Sequence, residues 1–225
     1  MEYKQGFTTD MPSLRELDDL KACGFRNTEK DYTKYVEVLA SIGCSPGDKV
    51  LDYGCSWGYG SWQLAQAGYI VTGYEISRPR CEYARTRMGV NITFSLDEIE
   101  APFDVFFSSH VLEHVPSVGL CIELARKLVK PSGWFVAFTP NGSEAFKARN
   151  YDSYMKLWGL VHPNFLDDRF YKSVFRCESY IIDSSSYDLA SIGQWATSSR
   201  GKSNVHQRVL KLDGDELLVV ARIST

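Results

Sequence analysis

The sequence lacks a long apolar run, a cysteine framework and an excess of basic residues. No stretch approaches the roughly 20 apolar residues needed to cross a bilayer, so no membrane partner is expected. The start, MEYKQGFTTD, has no basic residues followed by an apolar segment, which argues against a secretory signal. The six cysteines, Cys23, Cys44, Cys55, Cys81, Cys121 and Cys177, are scattered with no CxxC pair and no histidine at ligand spacing. That argues against a zinc site, and a chain this long needs no disulfide framework. They read as small reduced residues packed in a cytoplasmic protein. Lys+Arg number 25 against 28 Asp+Glu, a net charge of −3. Without a basic face or a basic-aromatic tract, nucleic acid is not an expected partner. No internal repeat or low-complexity segment is present. What remains is ordinary for a folded domain: 225 residues, 44% apolar and 24% charged, with nothing that reads as a linker.

The apolar pattern alternates short runs with helical stripes. A short helix is expected at Ser13–Ala22 and another at Thr28–Ser41, where Thr28 caps a face of Tyr32, Tyr35, Val36 and Leu39. Lys49–Tyr53 reads as a strand, Ser61–Ala67 as a helix, Tyr69–Glu75 as a strand and Arg78–Met88 as a helix. Strands at Asn91–Ser95 and Phe103–Ser108 follow, then a helix at Ser117–Lys130 stopped by Pro131-Ser132-Gly133, then a strand at Trp134–Phe138. Such alternation implies right-handed crossovers and a parallel sheet covered on both faces. Beyond Pro140 the chain turns aromatic: Gly142–Val174 reads as mostly helical, Ser179–Asp183 and Glu216–Ile223 as strands, and Ala196–His206 as a polar surface loop.

The sharpest local signal is VLDYGCSWGYG, Val50–Gly60. A strand ends at Asp52, glycines at 54, 58 and 60 make a tight turn, and a helix follows, so backbone and free N–H groups can approach a ligand. A dinucleotide site wants GxGxxG. Here the spacing is GxxxGxG, Ser56 stands where a second glycine would come, and Asp52 repels a pyrophosphate while suiting an ammonium group. In HVLEH, His110 and His114 lie four apart, but Glu113 is misplaced for the HExxH zinc motif, so no metal is assigned.

Four stretches together resemble the class I S-adenosylmethionine-dependent methyltransferases, in particular the broad small-molecule group. They are VLDYGCSWGYG, the strand end Gly73–Glu75, FDVFFSSHVLEHV at Phe103–Val115 and LVKPSGWFVAFTPN at Leu128–Asn141, with a weaker match in GDELLVVAR at Gly214–Arg222. The resemblance implies an α/β, Rossmann-like seven-stranded, mostly parallel sheet with an antiparallel last strand and helices on both faces. It implies one domain over 1–225: an N-terminal helical cap (1–44), a cofactor-binding core (45–141), and an acceptor cover with a C-terminal hairpin (142–225). The cofactor implied is S-adenosyl-L-methionine, leaving S-adenosyl-L-homocysteine.

Carried onto this chain, the pattern gives Asp52, Gly54, Cys55, Ser56 and Gly58 to the methionine end of the cofactor. Glu75 takes the ribose hydroxyls, because a carboxylate accepts two O–H bonds at once. Ile76 flanks the adenine. The adenine N6 partner departs from the pattern: Ser95–Pro102 is short, Leu96 occupies the usual aspartate's place, and Asp97 or backbone groups remain as candidates. Ser109 and His110 line the cofactor and the floor of the site, while His114 reads as a structural hydrogen-bonding residue. His162 is either a catalytic residue at the acceptor's mouth or a histidine satisfying its own loop. For a hydroxyl acceptor, His110 or His162 is the candidate base. Tyr32 and Tyr35 either close over the cofactor or pack on the sheet, and the aromatics from Tyr151 to Tyr171 read as core before they read as a pocket. The expected partner is a small-molecule methyl acceptor attacking through O, N or C, with sugars and polysaccharide precursors compatible. Two other readings stay open: a non-catalytic S-adenosylmethionine-binding partner subunit, and a NAD-dependent oxidoreductase. Oligomeric state is not legible.

Overall fold

The computed structural model describes residues 10–158, 162–200 and 205–224. Its centre is one eight-stranded sheet. The strands are β1 (Lys49–Tyr53), β2 (Ile70–Tyr74), β3 (Ile92–Thr93), β4 (Phe103–Ser109), β5 (Val129–Pro140), β6 (Ser179–Ser184), β7 (Gln207–Val209) and β8 (Glu216–Arg222). Their order is β3-β2-β1-β4-β5-β8-β6-β7. All neighbours pair in parallel except β8, which runs antiparallel to both β5 and β6. The mostly parallel sheet and the antiparallel last strand are as expected; the eighth strand, β7, is a short addition beside β6 that carries no apolar run to announce it.

Side chains of period two sort the core into two layers, as burial on both faces of a sheet requires. Val50, Val105, Phe107, Val136, Leu218 and Val220 share one layer. Leu51, Phe106, Phe135, Ala137, Leu217 and Val219 share the other. Helices α2 (Thr33–Ser41), α3 (Tyr59–Gln66) and α9 (Leu189–Ser199) pack on the first layer, and α5 (Val118–Leu128) and α8 (Asp168–Val174) on the second. The remaining helices are α1 (Leu14–Ala22), α4 (Arg78–Tyr83), α6 (Glu144–Arg149) and α7 (Tyr151–Leu157). Ser13 and Glu16 close a reciprocal capping box on α1.

Several boundaries differ from the sequence reading for local reasons. Helix α2 begins at Thr33, not Thr28. The Thr28 hydroxyl is spent in a turn, donating to the Phe25 carbonyl at 2.7 Å, and Asp31 Oδ1 instead accepts from the Thr33 N–H at 2.8 Å. Helix α3 starts two residues early because Gly58, at φ +85°, turns the chain directly into it. The helix from Arg78 widens into a π-turn over Ala84–Met88 and stops at Gly89. The strand at Asn91–Ser95 shrinks to two residues. Pro131-Ser132-Gly133 does not separate helix from strand. It lies within β5, where the pairing register with β4 shifts and Ser132 takes φ +65°, a bulge that tolerates proline. The polar run from Ala196 is helical as far as Ser199, since Ile192, Trp195 and Ala196 bury one face of α9; residues 201–204 of that expected loop lie outside the described residues.

Candidate active site

The carboxyl ends of β1, β2 and β4 meet at the glycine turn. Asp52 is buried at the end of β1 and accepts from the Ser61 hydroxyl at 2.6 Å. Burial raises its carboxyl to about 7; the Ser61 hydrogen bond opposes the rise and the nearby Glu75 charge adds to it. Gly54 and Gly58 take φ +82° and +85°, and a Cβ at Gly54 would stand 2.3 Å from Val111 Cγ2. Ser56 itself adopts φ +53°, and its Oγ is buried without a hydrogen-bond partner. Cys55 packs inward, its Sγ 2.7 Å from where a Gly73 Cβ would lie. Burial pushes its thiol well up, so it is no nucleophile.

Glu75 follows β2 and is 7% exposed. Its Oε2 accepts from the Ser56 N–H at 3.0 Å and its Oε1 from the Ser77 N–H at 2.8 Å. Those bonds fix the carboxylate on the turn and leave each oxygen a further lone pair. Thus Asp52, Gly54, Cys55, Ser56, Gly58 and Glu75 come together as the sequence implied. At the neighbouring strand ends, Ile76 is 62% exposed and Leu96 41%, an unusual display of apolar side chains beside a polar loop. Asp97 is exposed on a single 3-10 turn, Leu96–Glu98.

Tyr32 and Tyr35 pack on the sheet. They are buried in the sheet's first layer, and the Tyr32 ring also lies on the turn: a Cβ at Gly60 would fall 2.3 Å from it. The Tyr32 N–H donates to Gln63 Oε1 at 2.9 Å, tying the start of α2 to α3. Ser109, at the end of β4, stands beside both phenols, where its hydroxyl works against the rise that burial imposes on them.

His110 sits at φ +54°, a left-handed conformation rare outside glycine. Its Nε2 lies 2.6 Å from Glu216 Oε2 and its Nδ1 3.5 Å from Glu113 Oε1. Burial alone would lower the imidazole, but hydrogen bonds and charge from Glu113 and Glu216 outweigh it and raise it to about 10. The side chain is 45% exposed, so water screens part of this effect; the direction is still set by two carboxylates on one ring. An imidazole already protonated at neutral pH accepts no further proton, which counts against the expectation of His110 as base. His162 differs: its Nδ1 contacts the Leu157 carbonyl five residues back in its own segment, as the reading of a histidine satisfying its own loop expects. Its ring stands edge-on to His114 at 4.7 Å. The pair at ligand spacing, His110 and His114, does not converge. Instead Glu113, His114 and His162 place one donor atom each within 4.8 Å of the others, a grouping that only the folded chain assembles.

The model of one family, described as a methyltransferase domain, matches residues 25–177, which contain every residue placed above except Glu216. The chain belongs to the S-adenosylmethionine-dependent methyltransferases. Among curated relatives, a ubiquinone biosynthesis O-methyltransferase from Hydrogenovibrio crunogenus is 34% identical over 130 residues, 53% of this chain and 51% of that protein. One from Coxiella burnetii is 28% identical over 195 residues, 81% and 76% of the two chains. The match thus spans about half the length of the first of these relatives. Among solved structures, the plantazolicin methyltransferase BpumL, in complex with a pentazolic analogue and S-adenosylhomocysteine, superposes with a TM-score of 0.62 at 11% identity, covering 94% of this chain and 91% of its own. YcgJ from Bacillus subtilis superposes at 0.57 with 12% identity, covering 85% and 99%. At such identities these two establish the shared fold.

The methyltransferase's own residues fit the cofactor. The orphaned Ser56 hydroxyl, the uncapped N-terminus of α3 after Gly58, and a carboxylate on either side of the turn form a cradle for a ligand with an ammonium, hydroxyls and a carboxylate. The aromatics past β5 split rather than forming plain core. Tyr154 and Tyr171 are buried, while Tyr151 and Phe165 are more than half exposed. Glu216, Lys34 and Tyr187 were missed. The available signal was Glu216 itself, an acid opening an otherwise apolar strand.

Proposed function

We propose that the chain moves a methyl group from S-adenosylmethionine to an oxygen of a small molecule. The observation that carries this reading is Glu75 locked by the Ser56 and Ser77 N–H groups at the mouth of the glycine turn. When bound, S-adenosylmethionine supplies a methyl group activated on a sulfonium sulfur. Asp52 and the Gly54–Gly58 turn hold the methionine end, Glu75 the ribose hydroxyls, and Ile76 with Leu96 the adenine faces, with Asp97 or the backbone of its turn at the adenine edge. Ser109 lines the reacting end. His162 Nε2 would take the proton of the acceptor oxygen as that oxygen receives the activated methyl group. His110 stays protonated and fixes the floor. Much of the rate then comes from alignment and exclusion of water.

The O-methyltransferases among the relatives favour an oxygen acceptor; a sugar acceptor draws no support from them. Among the described residues no helix is long and apolar enough to cross a membrane. The glycine spacing keeps the dinucleotide reading in second place, and turnover of any acceptor would rule out a non-catalytic subunit. The test is transfer of a labelled methyl group from S-adenosylmethionine to a panel of small hydroxylated compounds. His162→Asn is expected to slow that transfer about 100-fold, the usual contribution of a general base, with affinity for S-adenosylhomocysteine unchanged. Equal rates in the two proteins would remove His162 from the mechanism.

A further inference from the structure

Glu216 opens β8, lies opposite Pro140 in the pairing with β5, and is 6% exposed. Burying a carboxylate is costly unless its lone pairs are met. Here they are met by four side chains from three separate parts of the chain. His110 Nε2 approaches Oε2 at 2.6 Å from the end of β4, and the Tyr35 hydroxyl donates to the same oxygen at 2.8 Å from α2. Lys34 Nζ donates to Oε1 at 2.7 Å, also from α2, and the Tyr187 hydroxyl donates to Oε1 from the turn before α9. Burial opposes the charge, yet the His110 and Lys34 partners hold the carboxyl down to about 2, so it stays ionised.

Two of these contacts flank the same cofactor-side residue. His110 is the chain neighbour of Ser109, and the Tyr35 hydroxyl lies beside the Ser109 hydroxyl. Tyr35 also packs edge-on against Tyr32 at 4.7 Å, and Tyr32 covers Gly60 on the glycine turn. We infer that Glu216 is a positioning residue of the methyl-transfer site: it fixes His110 and Tyr35 on either side of Ser109 and pins α2 over the turn that holds the cofactor. The inference rests on the reading of Ser109 and the turn as cofactor-facing. The strand that ends the chain and the helix near its start thereby become parts of one site.

The test is a double-mutant cycle on cofactor-product affinity together with hydrogen exchange in the unliganded protein. Glu216→Gln keeps the size of the side chain and one acceptor oxygen. It is expected to weaken S-adenosylhomocysteine binding about 10-fold, and Tyr35→Phe about threefold, both below the range for a hydrogen bond made directly to a charged group, because neither side chain itself touches the ligand. Because Tyr35 acts through Glu216, the double variant binds no more weakly than Glu216→Gln alone. Effects that multiply, or wild-type affinity in Glu216→Gln, would overturn the inference, since a merely structural role predicts one of these. In Glu216→Gln the amides of α2 are expected to exchange about 10-fold faster than in the wild type, with those of β4 and β5 unaltered. Unaltered exchange in α2 would also overturn it. Tyr187→Phe, which deletes one donor, gives a milder perturbation with an expected two- to threefold (about 0.5 kcal/mol) loss of affinity. Wild-type protein that binds no S-adenosylhomocysteine would instead sink the cofactor reading, and exchange in α2 would then decide the Glu216 inference by itself.

Discussion

Replacing Asp52 with asparagine is expected to stabilise the unliganded protein and to weaken its hold on the cofactor. Asp52 is 1% exposed, and among the described residues its carboxylate accepts a hydrogen bond from Ser61 and is paired with no cation. Its carboxyl is raised to about 7, first by burial, against an ordinary value near 3.9 in an unfolded chain. The folded protein therefore binds a proton between about pH 4 and pH 7 that the unfolded chain releases, and stability from this group is lost as pH rises through 7. A shift of that size corresponds to a cost on the order of 4 kcal/mol at pH 8. Asparagine keeps the shape and a partner for Ser61 without the charge. The thermal midpoint of Asp52→Asn should exceed the wild type by roughly 5–10 °C at pH 8 and by little at pH 5. On the proposed role of Asp52, the ammonium group of the cofactor would supply the missing counter-charge in the wild type. Affinity for S-adenosylhomocysteine should then improve up to about tenfold between pH 6 and pH 7 and level off above, with a proton released on binding. In Asp52→Asn the pH dependence from this group should vanish and affinity should fall about 100-fold. A variant no more stable than the wild type at pH 8, with cofactor affinity intact, would show that Asp52 carries neither burden.

Glu75 is the second position with a large expected effect. If Glu75 takes the ribose hydroxyls as proposed, Glu75→Ala removes two charge-assisted bonds, each worth about 1.5–3 kcal/mol, and binding of S-adenosylhomocysteine should weaken at least ~100-fold. It also frees the Ser56 and Ser77 N–H groups, which loosens the turn. Glu75→Gln separates the two causes. Its amide oxygen still holds one N–H while only part of the ribose contact survives, and a loss of about 10-fold is expected. Calorimetric titration reads both values. Alanine and glutamine variants that bind as the wild type does would remove Glu75 from the site.

What the sequence made legible was whatever is local in the chain. Continuous apolar runs at Val105–Phe107 and Leu217–Val220 announced strands buried on both faces, and GxxxGxG after a strand announced the turn. Glu75 followed because it ends the strand next to that turn. What stayed hidden depends on contacts distant in sequence. His110 looked like a base until Glu216, 106 residues away, proved to sit on its Nε2. The start of α2 moved from Thr28 because Asp31 competes for the cap and Gln63, on another helix, holds the Tyr32 N–H. Strand β7 is three residues long, half-exposed and at the sheet's rim, so neither apolarity nor alternation marks it. The proline in β5 reads as a stop, and only the bulge explains why the strand runs through it.

The central claim is that the turn between β1 and α3, with Glu75, holds S-adenosylmethionine. Titration of the purified protein with S-adenosylhomocysteine by calorimetry, with NAD as the comparison, tests it most directly. The account predicts saturable one-to-one binding of S-adenosylhomocysteine with a Kd of about 1–100 μM, roughly −8 to −5.5 kcal/mol, and no heat from NAD. Folded protein that binds NAD and not S-adenosylhomocysteine would contradict it.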